Sequence, residues 1–244
     1  MPKHTVRAFA TELKDLARKI VEMGVRAEKQ ISDAFEALTK RNSELAQRVI
    51  AGDDAIDELQ REVEREAITT IARRQPMAID LREVVGALRV SNDLERIADL
   101  AENIAKRVLI LSAALQVEQG LPQLARMVEL VRAQLSQVLQ SYVHRDSGEA
   151  LEVWRRDQEI DAMHESLFRE LLTYMMEDGR KITFCTHLLF CAKNVERMGD
   201  HVTNVAETVY YIVEGRALTQ QRPKADITSV GDARHDPTGH QGAA

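Results

Sequence analysis

The chain has 244 residues, 44% of them hydrophobic, 30% charged and 4% aromatic, with 11 Gly, 5 Pro and a formal net charge of -6. So few aromatics argue against a β-sandwich or barrel, and an acidic pI near 5.7 excludes a general nucleic-acid binder, which needs clustered excess Lys and Arg. No apolar run approaches the roughly 18 residues of a membrane span, and the N-terminus opens on a charged amphipathic pattern instead of a signal peptide.

The first predicted helix carries Val6, Phe9, Leu13, Leu16, Ile20, Met23 and Ala27 in alternating threes and fours, and Ile31, Ala34 and Leu38 follow after one phase slip. Arg41-Asn42-Ser43 marks a break, with Asn42 or Ser43 capping a short helix that ends near Gly52. Asp53 or Asp54 then caps a longer helix to about Arg74, stopped by Gln75-Pro76, and a further helix runs from about Met77 to Leu115.

The second half repeats this plan. Gly120-Leu121-Pro122 is the junction, with Pro122 suited to a first helical turn. A helix reaches about His144, Arg145-Asp146-Ser147-Gly148 breaks it, and a short segment leads into Asp157-Gln158-Glu159-Ile160-Asp161, an echo of Asp53-Asp54-Ala55-Ile56-Asp57. That helix ends near Asp178-Gly179, and the last spans about Lys181 to Glu214. The expected fold is all-α, with two tandem pseudo-symmetric three-helix bundles over residues 1–117 and 118–215. Residues 216–244 hold too few large apolar side chains to bury a core and are expected to be a disordered tail, where His235 and His240 read as an incidental pair. Cys185 and Cys191, six apart on one helix, are expected to be buried free thiols, which fits a reducing, cytoplasmic compartment.

Function is concentrated in a repeat. Glu95, Arg96, Asp99 and Asn103 recur about a hundred residues later as Glu196, Arg197, Asp200 and Asn204. Both copies ride on an apolar seam: Val90, Leu94, Ile97, Ala101, Ile104, Val108 and Leu111 in one, and Cys191, Val195, Met198, Val202, Val205, Val209 and Ile212 in the other. At about 100° per residue, Glu95, Asp99 and Asn103 leave from the side opposite that seam, as do Glu196, Asp200 and Asn204. Like charges at i,i+4 repel unless a cation sits between them, and oxygen ligands one turn apart suit hard or borderline divalent and trivalent ions. Asp57 and Asp161 on the preceding helices are second contributors in this reading; the alternative is that they serve the helix macrodipole.

The paired Glu-x-x-x-Asp motifs in Asn92–Asp99 and Lys193–Asp200, with the duplication and helical layout, resemble the PhoU family of phosphate-transport regulators over about residues 5 to 214. The resemblance implies multinuclear metal clusters at those motifs, with iron, zinc, manganese or magnesium as candidate ions. It also implies a cytoplasmic negative regulator of the phosphate-starvation response, placed between the phosphate ABC transporter's ATPase and the phosphate-sensing histidine kinase. Peripheral membrane association and a homodimer are expected. Ala98 stands where the family has Gly, and Asn194 replaces the acid seen at Asp93, leaving the C-terminal site one ligand weaker in this reading. No nucleophile constellation or phosphate-cradling Gly-rich loop is present, so no enzyme activity is expected. Two alternatives stand beside the regulator. One is a helical scaffold without metal. The other is a carboxylate-bridged di-iron enzyme, which needs Glu-x-x-His on two inward-facing helices where this chain offers Asp161-Ala162-Met163-His164 once.

Overall fold

The computed structural model describes residues 3–111 and 120–219, with side chains from residue 9 onward. The helices are α1 (Lys3–Lys40), α2 (Ser43–Arg74), α3 (Ile79–Leu111), α4 (Leu121–His144), α5 (Ser147–Arg155), α6 (Asp157–Glu177) and α7 (Ile182–Glu214), with a 3₁₀ turn at Gly179–Lys181. Among the described residues there is no β-strand, and no helix is long and apolar enough to cross a membrane.

Helices α1, α2 and α3 form one three-helix bundle, and α4, the α5–α6 pair and α7 form the other. The expected all-α tandem is thus present. The bundles meet where α3 packs against α7 and α1 against α4, and their buried apolar residues form one continuous core. The expected boundary at residues 117 and 118 lies outside the described residues, as does the tail beyond residue 219. Cys185 and Cys191 are buried free thiols.

Local chemistry sets most helix ends. Asn42 caps α2, its side-chain oxygen accepting from Leu45 N at 3.0 Å, and Asp146 caps α5 by accepting from the Gly148 and Glu149 amides. Gly215, in the left-handed region at φ 75°, closes α7 with its N–H on Tyr211 O.

The expected break at Gly52 does not occur: α2 is unbroken from Ser43 to Arg74. A helix-interior glycine costs about 1 kcal/mol against alanine. Burying Val49, Ile56 and Val63 on either side gains roughly 1.5–3 kcal/mol each, so the seam carries the helix through. Asp53 is therefore a mid-helix residue and not a cap. In the second half the break is real. Buried Gln134 of α4 donates through Nε2 to Arg156 O at 3.3 Å, and Arg156 N bonds Val153 O, leaving a joint between α5 and α6.

Both expected seams are buried, and α3 and α7 each bury a second strip against the other. The helices approach closely at Gly86, where an added Cβ would lie 2.4 Å from Ile212 Cδ1. Gly86→Val is expected to cost about 1–3 kcal/mol by overpacking. Urea denaturation checks this, and Ile212→Ala in the same chain should return part of the loss as a non-additive coupling.

Candidate metal centre

Glu95, Asp99 and Glu102 stand at i, i+4 and i+7 on α3, one stripe on successive turns. The stripe turns towards α2 and not to open solvent; the Glu95 side chain is 18% exposed. From α2, Asp53 meets it: Asp53, Asp99 and Glu102 each offer an oxygen within 4.8 Å of the others. Burial first, then the charges of Glu102, Asp99, Asp57 and Glu95, push the Asp53 carboxyl up to about 6. Glu95 is also raised, by burial and then by Asp99. Five carboxylates of two helices thus share one field, and Asp57 belongs to it through its charge on Asp53 and Glu95.

Cationic side chains offset part of this repulsion. Arg61 reaches Asp57 at 3.2 Å, Arg96 reaches Asp99 at 2.8 Å, and Lys106 reaches Glu102 at 2.5 Å. No such partner serves Asp53 among the described residues. Glu95 Oε2 is buried without a hydrogen bond, since Arg96 Nε at 3.3 Å is misaligned for one. A buried orphan oxygen beside a raised aspartate, in an all-oxygen set, fits a hard cation. Asn103 is exposed and lies beside the stripe.

The second half differs. Asp157 stands where Asp53 does, but Thr203 stands where Glu102 does. Thr203 Oγ1 donates to Asp157 Oδ1 at 2.9 Å, both groups being buried. Glu196, with a side chain 9% exposed, holds Lys193 at 2.8 Å, while Asp161 and Asp200 are half-buried. No three-carboxylate group forms here among the described residues. Asn204 points away from the ridge, its Nδ2 donating to Asp93 Oδ1 at 3.2 Å across the α3–α7 contact, with His201 Nδ1 2.9 Å from the same oxygen. The exchange of Asp93 for Asn194 therefore lies at the helix contact. The change that alters the ridge is Glu102 to Thr203.

Asp53, Glu102 and Asp157 were not among the expected ligands. Matching the two repeats favoured Asn103 because it recurs, whereas helix geometry selects Glu102, seven residues past Glu95. Asp53 read as a cap because it follows an expected break, and Asp157 only as its echo.

The raised Asp53 has a signed consequence. Its native pKa exceeds its ordinary value of 3.8, so its contribution to stability is full below about pH 4 and lost as pH rises through about 6. In chelator-treated protein, Asp53→Asn should therefore be more stable than the parent at about pH 7, with the gap closing near pH 4. Urea midpoints across that window check it.

The fold and site together define a duplicated all-helical protein with a cluster of carboxylates carried on paired helices. The PhoU domain family matches residues 20–108 and 124–209, and the chain belongs to the PhoU family. It is 51% identical over 230 residues to the phosphate-specific transport system accessory protein PhoU homolog of Rhizobium meliloti (strain 1021), covering 93% of this chain and 96% of that one. The homolog of the same name from Caulobacter vibrioides is 48% identical, covering 94% and 100%. The crystal structure of PhoU from Pseudomonas aeruginosa superposes with a TM-score of 0.82 at 36% identity, over 85% of this chain and 100% of that one. The phosphate transport system regulatory protein PhoU from Streptococcus pneumoniae gives 0.80 at 28% identity, over 87% and 100%.

Proposed function

We propose that this chain is the cytoplasmic accessory regulator of a phosphate-specific ABC transporter. It holds the transporter's ATPase and a phosphate-sensing histidine kinase in a repressing assembly when phosphate is ample. The observation that carries this reading is the duplicated Glu-x-x-x-Asp helix, in a chain whose relatives over 93–94% of its length are named transport-system accessory proteins. The concentrated chemistry lies between helices near the surface, an arrangement better suited to meeting a partner than to enclosing a substrate.

In this reading Asp53, Asp57, Glu95, Asp99 and Glu102 hold one cation site. Asp157, Asp161, Glu196 and Asp200 hold a weaker second one. A bound divalent or trivalent ion supplies fixed positive charge. The residues orient it and keep the two helices in register, and Arg61, Arg96 and Lys106 are released from the carboxylates they cover.

The triple variant Asp53→Asn, Asp99→Asn, Glu102→Gln should lose about half or more of the metal found by elemental analysis, with helix content unchanged. Metal content equal to the parent's would remove this carboxylate site, and absence of metal from the parent itself would favour the helical scaffold without metal. In the host, deleting the gene should switch on phosphate-starvation genes in high phosphate, and the intact gene should restore repression. Normal repression in the deletion strain would remove the regulator reading.

A further inference from the structure

The α3–α7 contact has two comparable ends, because the two helices are repeats packed antiparallel: Asp93 meets Asn204 near one end, and Arg107 meets His187 and Phe190 near the other. At the Asp93 end lies a groove of about 500 Å³ lined by Arg89, Asp93, Glu207 and Tyr211 among others. Its acids are engaged: Asp93 by His201 and Asn204, and Glu207 by Trp154 Nε1 at 2.9 Å.

The duplication puts different chemistry at the other end. Where one end has Asp93 the other has Asn194, and Glu207 is matched by Lys106, Thr208 by Arg107 and Asn92 by Lys193. Each exchange removes negative charge or adds positive charge. The guanidinium carbon of Arg107 stacks 4.1 Å from the Phe190 ring centroid, and its Nη1 lies 3.4 Å from His187 Nδ1. Arg107 Nε is buried without a hydrogen-bond partner, and no carboxylate pairs with Arg107 among the described residues. Asn194 Nδ2, one turn along α7 from Phe190, is likewise buried and unpartnered.

A half-buried arginine with an orphan donor and no counter-ion is costly unless an anion completes it. His187 is held below its ordinary value by burial and by the charge of Arg107, so it is neutral at pH 7. Its Nδ1 faces a group that can only donate, so Nδ1 accepts and Nε2 carries the hydrogen. Arg107 Nε and Asn194 Nδ2 are thus two unfilled donors at this end. Lys106 and Lys193 flank it, each bound to a ridge carboxylate, at Glu102 and Glu196, so the burden falls on Arg107 and Asn194.

We propose that the Arg107 end of the α3–α7 contact is a binding site for a phosphate-class oxyanion, free or carried on a lipid headgroup. The fixed positive charge of Arg107 disfavours a cation and favours an anion. The guanidinium, covered on one face by Phe190, presents a planar edge suited to two oxygens of one anion, and Asn194 adds a donor for a third. Its principal donors, Arg107 and Asn194, are outside both carboxylate sets proposed to hold cations, so the anion site stands without the metal reading.

The test is calorimetric titration of inorganic phosphate into the full chain, as isolated and with EDTA. One saturable site per chain is expected in both. Arg107→Ala should abolish it, Asn194→Asp should weaken it about tenfold or more by installing the carboxylate of the opposite end, and Arg107→Lys should weaken it by a similar factor through loss of the planar fork. Arg89→Ala should leave it unchanged, and circular dichroism should report intact helices in every variant. If free phosphate gives no heat but phosphatidylglycerol vesicles sediment the chain in an Arg107-dependent way, the same site takes its anion from a headgroup. Binding that survives Arg107→Ala, that disappears with EDTA, or that acetate matches in affinity would overturn the proposal. So would the absence of both phosphate and vesicle binding.

Discussion

The packing of α3 against α7 is the constraint from which the other features follow. Each helix must bury one strip in its own bundle and a second against its repeat, and Gly86, Ala87, Ala98 and Ala105 on α3 are small enough to allow both. Two buried strips leave one narrow side for polar chemistry. On α3 that side lies along the edge of α2, so Glu95, Asp99 and Glu102 come to Asp53. The acidic ridge is thus what remains of the helix circumference once packing has taken its share.

Electrostatics then sets the character of that side. Exposed ion pairs such as Arg61–Asp57 and Arg96–Asp99 contribute only about 0–1 kcal/mol each, too little to neutralise five carboxylates in a partly desolvated cleft. The first half tolerates this repulsion. The second half relieves it by placing the Thr203 hydroxyl on Asp157. One repeat thus carries the mutually repelling carboxylates and the other a hydrogen-bonded pair.

The seams were readable because their spacing obeys one geometric period that tertiary context does not disturb: Val90 through Leu111 and Cys191 through Ile212 are buried as expected. Caps such as Asn42 and Asp146 were readable for a similar reason, since each works within a few residues. Gly52 misled because glycine stops a helix only where the backbone turns left-handed, and the flanking Val49 and Ile56 outweigh its local preference. The partnership of Asp53 with Glu102 joins residues that are distant in sequence, and it depends on how α2 is rotated about its own axis. Asn204 misled for the same reason: its turn towards Asp93 is set by the crossing of α3 and α7, which one helix's periodicity does not encode.

The joint at Arg156 gives the two bundles different mechanics. Along α2, 32 residues and about 48 Å of continuous hydrogen-bond ladder run past Asp53 and Asp57. Along α5 and α6 the ladder is interrupted immediately before Asp157. The first acidic ridge is thus fixed to one uninterrupted rod, while the second sits directly beside the one place where its helix pair can bend.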